Sequence, residues 1–430
     1  MARQSGADSV ATALQRAGQV STAALHQIEQ RGTLAYFHEF AHPVSGMARE
    51  RSNPAAYDFR ETVTSGGTGF GIMALLAAVQ RGFLSRRQAR AQVARIVAFL
   101  GRAERHHGVF SHFLHGTTGA TIAFSPLDDG GDLVETAFLM MGLLAARQYF
   151  DRPTAAEARL CSDIDALWRG VEWDWHARPD RDALLWHWSP RHHFAMNHAI
   201  TGWNEALIVY VLATASPTHA VAPERYHRGW TDSPHFRNGK RYFGIELPLG
   251  PPGGGPLFFS HYSFMGLDPR GLVDRYADYF AQNRAHTLIN RAHCLANPHG
   301  HRGYGPECWG LTASDGEAGY SAFAPDNDQG VITPSAALAA LPYAPEESLQ
   351  ALRHFLLTRG AELWTALGFR DAFSPVTGWG AEGQLAIDQG PIMVMIENYR
   401  SGLLWSLFMA VPEVQVALRR LGFSSPHLQR

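Results

Sequence analysis

Apolar residues recur at helical spacing in roughly ten segments of this chain: near 8 to 31, 68 to 82, 86 to 105, 133 to 150, 154 to 170, 198 to 214, 270 to 293, 334 to 341, 346 to 366 and 391 to 420. That rhythm commits the chain to an all-α class. The intervening loops are rich in Gly, Pro, His and aromatic residues, as at Pro248 to Pro256 and over 297 to 330. They have room for short strands but not for a large sheet. Helix after helix with long polar and aromatic loops fits either a bundle or a closed ring of helix pairs. The ring accounts for the loops better, because inner helices that meet at one end bring their connections to a shared cleft.

A chain of 430 residues exceeds a usual single core, yet toroids of this size fold as one unit. With 46% hydrophobic and 18% charged residues there is ample material to bury and no compositional sign of disorder. No boundary forces a division. The expectation is one domain over 1–430, with 1–31 as an N-terminal helical segment. The formal net charge of -2 provides no field to hold nucleic acid or an anionic membrane, so neither is expected as a partner.

Lys240 is the only lysine, and it lies in His-Phe-Arg-Asn-Gly-Lys-Arg-Tyr, without the strand or the Ser/Thr of a phosphate-cradling loop. Phosphoryl-transfer and Schiff-base chemistry are therefore set aside. Cys161, Cys294 and Cys308 are odd in number and show no Cys-x-x-Cys spacing, which reads as free, buried thiols. The N-terminal stretch lacks the apolar core of a secretory signal, and no later run is long enough to span a bilayer. The expected compartment is the cytoplasm, or the periplasm if a signal has been removed.

Two acid-bearing helix mouths stand out. In Thr-Gly-Trp-Asn-Glu-Ala-Leu-Ile-Val-Tyr, Glu205 sits beside Trp203 and Asn204 at the entrance of an apolar helix. Burial raises a carboxyl pKa by disfavouring the charge, and an indole is a surface on which a sugar ring stacks. Upstream, Asp-Asp-Gly-Gly-Asp-Leu-Val-Glu-Thr-Ala-Phe supplies Asp128, Asp129, Asp132 and Glu135. Glycoside cleavage needs one carboxylic acid to protonate the departing oxygen and one carboxylate to activate water or to attack. Two bland readings compete: Asp132-x-x-Glu135 as a capping box, and Glu205 as a core acid paired with an arginine.

Several stretches taken together resemble a known family. They are Thr201 to His219, Trp-Gly-Leu-Thr-Ala-Ser-Asp-Gly at 309 to 316, and Ile-Asp-Gln-Gly-Pro-Ile-Met-Val-Met-Ile-Glu-Asn-Tyr-Arg-Ser-Gly-Leu-Leu-Trp at 387 to 405. Thr-Ser-Gly-Gly-Thr-Gly-Phe-Gly at 64 to 71, Asn-Arg-Ala-His-Cys-Leu-Ala-Asn-Pro at 290 to 298 and Thr-Pro-Ser-Ala-Ala-Leu-Ala-Ala-Leu-Pro-Tyr at 333 to 343 add to them. In this order they are similar to the glycoamylase-like domain typified by glycoside hydrolase family 144. The resemblance implies an (α/α)6 barrel acting on β-1,2-glucan or its oligosaccharides by inversion, with no metal or organic cofactor. It carries catalytic roles onto Asp132, Glu135 and Glu205. On the residues' own chemistry Glu205 is the general acid, and Asp132 or Glu135 orients the water. A retaining β-1,2-glucan transglycosylase and a non-catalytic glycan-binding protein are the alternatives.

For the sugar itself the candidates are Asp128, Trp203, Asn204, His219, Trp309, Asp315, Asp388 and Tyr399. Trp203 and Trp309 are chosen among the loop tryptophans because each adjoins a polar motif. Asp315 and Asp388 either grip hydroxyls or cap helix turns, and Glu397 either does so or fixes an arginine such as Arg400. The 22 histidines show no His-Glu-x-x-His or comparable spacing, so no metal is expected and hydroxyl binding is the reading preferred.

Overall fold

The computed structural model describes residues 20–53, 58 and 60–428. Its α-helices, in chain order, are α1 (Thr22–His38), α2 (Ser65–Gln80), α3 (Arg86–Leu100), α4 (Leu133–Tyr149), α5 (Ala155–Arg169), α6 (Leu207–Ala215), α7 (Tyr279–Ala296), α8 (Pro334–Leu338), α9 (Pro345–Arg353), α10 (Gly360–Leu363), α11 (Ala386–Ser401), α12 (Leu403–Met409) and α13 (Pro412–Arg420). Helix dominates, as the periodicity predicts. Residues 1–19 of the expected N-terminal helical segment lie outside the described residues. No described helix is long and apolar enough to cross a membrane.

The helices are of two kinds. Along α2, α4, α6 and α11 nearly every side chain is buried, so these helices are enveloped by protein on all sides, α11 with Asp388, Gln389, Glu397 and Asn398 among its buried residues. By contrast α3, α5 and α13 bury a single stripe: Ala89, Val93, Ile96, Val97 and Leu100; Leu160, Ile164, Leu167 and Trp168; Val414, Ala417 and Leu418. Each stripe packs on an enveloped neighbour, α3 on α2, α5 on α4 and α13 on α6. The enveloped helices also pack on one another, and α2 and α4 meet backbone to backbone. A Cβ on Gly69 would lie 2.1 Å from the Phe138 carbonyl oxygen, and one on Gly142 would lie 2.1 Å from that of Gly69. Any larger residue at either position forces the pair apart.

Strands are short and serve the loops. The largest sheet joins Thr62–Thr64, Phe113–His115 and Thr121–Ile122, all antiparallel; the remaining sheets have two strands each. Two of them fix the acidic loops: Gly131–Asp132 pairs with His187–Trp188, and Leu184–Leu185 with Ala199–Ile200. Cys161, Cys294 and Cys308 are free, as expected; Cys294 and Cys308 are buried, but Cys161, on α5, is only half-buried.

Where the periodicity misplaces helix, backbone chemistry explains it. The predicted segment 391 to 420 is three helices, interrupted at Gly402, which adopts φ 69°, and again before Pro412, which lacks the N–H a continuing helix requires. The stretch 346 to 366 leaves α9 for a wide turn over His354–Thr358. Residues 198 to 206 are not helical, because Ala199–Ile200 is taken into a strand pair and the Asn204 side chain accepts the Ala206 amide at 2.9 Å.

Candidate active site

Asp132 is the N-cap of α4. Its Oδ1 accepts the amides of Val134 and Glu135, both at 3.0 Å, and the Trp186 indole N–H, also at 3.0 Å. Its Oδ2 lies 3.1 Å from His112 Nδ1 and 3.7 Å from His187 Nε2. Burial opposes this charge, yet the His112 hydrogen bond and the His187 imidazole hold the carboxyl below its ordinary value. Asp132 is thus an anchored anion, 1% exposed, that orients an indole and an imidazole.

Only half of the expected capping box forms. Instead of returning to the Asp132 amide, Glu135 crosses to α2, where Oε2 accepts the Gly66 amide at 2.8 Å and lies 3.4 Å from the Thr64 hydroxyl. That amide is one of the unpaired donors at the α2 N-terminus, a natural place for an anion. Gly66 is required for the approach, since a Cβ there would sit 2.5 Å from Oε2. Burial raises the Glu135 pKa; His112, whose Nε2 lies 3.9 Å from Oε1, opposes that rise, and Asp132 adds to it.

His112 is the hub of this group. Burial works against its protonation, but Glu135, Asp132 and Asp128 together raise the imidazole to about 9, making it a cation at neutral pH. Its ring is stacked on Phe124 at 4.4 Å and edged by Phe113 at 4.6 Å. Asp128, raised to about 7 by burial and by Asp132, lies 3.3 Å from His187 Nε2. His112, Asp128 and Asp132 offer ligand atoms within 4.8 Å of one another. His112, held as a cation, carries a proton on both ring nitrogens and has no lone pair to offer a metal, so the group reads as an ion-paired network around Asp132.

Glu205 arrives from the turn before α6. Its carbonyl accepts the Ser263 hydroxyl, which fixes the turn. Burial, reinforced by Glu135 and Asp132, raises its carboxyl from 4.5 to about 7. Among the described residues no arginine pairs with it, so the core ion-pair reading does not hold. Glu205 and Glu135 both line one cavity of about 310 Å3, together with His112, Trp186, Tyr262 and Tyr320. Asp132 does not line it but is hydrogen-bonded to His112 and Trp186, which do. Arg51 closes another side, 2.8 Å from Glu50 Oε2 and 3.2 Å from Asp315 Oδ1.

The sugar-binding candidates are dispersed. Trp203 is 2% exposed, its ring packed among Trp230, Phe264 and Tyr279, so it has no face to offer a sugar. Trp309 is wholly buried in a second core cluster. The expectation of stacking at both is corrected: an indole beside a polar motif in sequence is here a core ring, and Trp186 lines the cavity instead. Asn204 spends its side chain on the Ala206 amide, and His219 pairs with Asp174 at 3.1 Å, neither lining the cavity. Tyr399 stands eleven residues beyond Asp388 on α11, about 16 Å along the axis, exposed and edged by His26. It too misses the cavity.

Asp315 and Asp388 form a group behind the Arg51 wall. Asp388 accepts the Ser335 hydroxyl at 2.9 Å, and the Asp315 amide donates to Asp371 Oδ2 at 2.7 Å. Burial raises Asp388 to about 7 and Asp371 well above the carboxylate range. Asp128 likewise sits behind His112 and His187. Glu397 holds Arg81 through two contacts of 2.7 Å, while Arg400 donates to Gln30. What the sequence did not single out is His112, Trp186, Arg51 and Tyr262; only their loop positions among aromatics hinted at the first two.

Residues 197–412 match the glycoamylase family, described as "Putative glucoamylase". The chain is 43% identical over 413 residues to an exo β-1,2-glucooligosaccharide sophorohydrolase (non-reducing end) of Parabacteroides distasonis. That match covers 91% of this chain, which spans only 57% of the relative's length. A solved structure of the family's description from Bacteroides uniformis is 54% identical, with TM-score 0.93, covering 96% of this chain and all 100% of that one. An endo-β-1,2-glucanase of Chitinophaga pinensis, solved with sophorotriose and glucose, is 49% identical with TM-score 0.93, covering 95% of this chain and 100% of that one. With its family model matched over half its length and relatives matched from end to end, this chain belongs to the glycoamylase-like family.

Proposed function

We propose that this protein is a glycoside hydrolase that cleaves β-1,2-glucosidic bonds in β-1,2-glucan or its oligosaccharides. The observation that carries the reading is that two carboxyls from separate helix starts, Glu135 and Glu205, share one cavity and are held in different environments. Glu205 has the apolar surroundings of a proton donor, raised to about 7 and without a cationic partner among the described residues. Glu135, facing the His112 cation and the Gly66 amide at the start of α2, has the surroundings of a carboxylate that activates water. Asp132 acts through His112 and Trp186 as a positioning residue. The names of the P. distasonis and C. pinensis relatives support the linkage.

The alternation of enveloped and single-striped helices supports a closed (α/α)6 ring forming one catalytic unit, with the cavity at the end where α2, α4 and α6 begin. Inversion requires room for a water, a carboxyl separation of about 6.5 to 9.5 Å. The test is to incubate the protein with linear β-1,2-glucan and follow product size and anomeric configuration by NMR. Short products of inverted configuration are expected. Redistribution of chain lengths with retention identifies a transglycosylase, and binding without turnover a glycan-binding protein; either result overturns the reading.

A further inference from the structure

Away from the cavity, the C-terminal end of α7 and the loop after it gather three histidines around one carboxylate. His293, in the last turn of α7, His299 and Asp328 present ligand atoms that all lie within 4.8 Å of one another. His293 Nε2 is 2.8 Å from Asp328 Oδ2. His301 Nε2 is 3.5 Å from Asp328 Oδ1 and is a buried nitrogen with no hydrogen-bond partner. A buried imidazole nitrogen left without a partner costs free energy unless something fills the place of the missing bond.

The group is braced as a binding site is braced. Asp328 Oδ1 accepts the Tyr304 hydroxyl at 2.7 Å and the Gly330 amide at 3.1 Å, which fixes the carboxylate plane. Asn297 caps α7 in the left-handed conformation, φ 46°. Its side chain then holds His301 from both directions, accepting its amide at 2.7 Å and donating to its carbonyl at 2.9 Å. The donor atoms also stand at the negative end of an 18-residue helix, where positive charge is favoured.

We propose that His293, His299 and Asp328 bind a Zn2+ ion that staples the end of α7 to the 297–330 loop, and that the unpartnered His301 nitrogen holds a water on that ion. Two imidazoles and a carboxylate are a donor set zinc accepts, with a water completing the tetrahedron. Bonds of about 2.0 to 2.1 Å place tetrahedral ligand atoms about 3.3 Å apart. His293 Nε2 and Asp328 Oδ2, 2.8 Å apart, need to open by only about half an ångström to reach that value, and all three ligand atoms already lie within 4.8 Å of one another. The longer approach falls to His299, the exposed member, whose side chain has room to swing. Tyr304 and Gly330 serve as the outer shell that orients the carboxylate. None of the three ligands lines the cavity, but the stapled loop leads to Asp315, the partner of Arg51, and to Tyr320 in the cavity wall. The ion is therefore structural, setting the loop that builds one side of the cleft. Sequence patterns of ligands miss this site because the carboxylate arrives from 35 residues away.

The experiment is calorimetric titration of the chelator-treated full chain with Zn2+, paired with the visible d–d absorption of the Co2+ form. One equivalent is expected, with a concentration-dependent rise in Tm and a Co2+ spectrum typical of nitrogen ligation. His299→Ala, at an exposed position that leaves the fold intact, weakens Zn2+ binding by about 100-fold, and Tyr304→Phe by about 10-fold. No stoichiometric uptake overturns the proposal. So does uptake undiminished in both His299→Ala and Asp328→Asn, which places the ion elsewhere.

Discussion

Replacing Glu205 by glutamine should stabilise the protein while abolishing turnover, and the size of the effect follows from the site. The folded state raises this carboxyl from 4.5 to about 7, chiefly by burial. At about 1.4 kcal/mol per pKa unit, holding it ionised above pH 7 costs the fold about 3 kcal/mol. The sign is fixed by proton uptake: between pH 4.5 and about 7 the folded chain binds the proton more tightly than the unfolded one, so stability falls as pH rises across that window and the loss is complete above it. Glutamine keeps the shape and carries no charge at any pH. Glu205→Gln should therefore match wild type near pH 4.5 and exceed it by about 3 kcal/mol at pH 8. From the unfolding entropy expected for a chain this long, that is about 3 °C in Tm. Calorimetric scans at the two pH values provide the assay, alongside hydrolysis rates. Equal Tm values at pH 8, or a variant that keeps near-normal turnover and an unchanged alkaline limb, would refute the assignment of a buried proton donor here.

Three further outcomes follow from the same geometry. His112→Asn removes the cation that faces Glu135, so the ascending limb of the pH–rate profile should move up by about one pKa unit; a limb that stays in place separates His112 from the base. Trp203→Ala should cost about 3 to 5 kcal/mol in urea unfolding with KM unchanged, whereas Tyr320→Ala should raise KM about 5-fold, the worth of about 1 kcal/mol of stacking, with Tm unchanged. The reverse pattern would return Trp203 to the substrate. Arg81→Ala leaves the fully buried Glu397 without its two-contact partner and should cost about 3 to 5 kcal/mol in chemical unfolding without changing kcat; a loss below about 1 kcal/mol would contradict a desolvated pair.

What the sequence determined by itself was whatever local chemistry specifies. Apolar spacing is a property of one segment, so most helices could be read before any contact was known, while the breaks at Gly402, Pro412, His354–Thr358 and the Ala199–Ile200 strand were missed. The two acid-bearing helix mouths were legible for the same reason, since a carboxylate before an apolar run is a local signal. Which carboxylate faces the cavity was not. Asp132 and Glu135 are three residues apart and chemically alike, yet hydrogen bonds from His112 and Trp186 hold one out of the cavity lining while the Gly66 amide draws the other into it. Trp203 and Trp186 likewise look equivalent as indoles beside polar residues, and only the packing of Trp230, Phe264 and Tyr279 decides that the first is core. Proximity between residues far apart in the chain is made by tertiary packing, and burial, the main source of the raised pKa values here, exists only once that packing has formed.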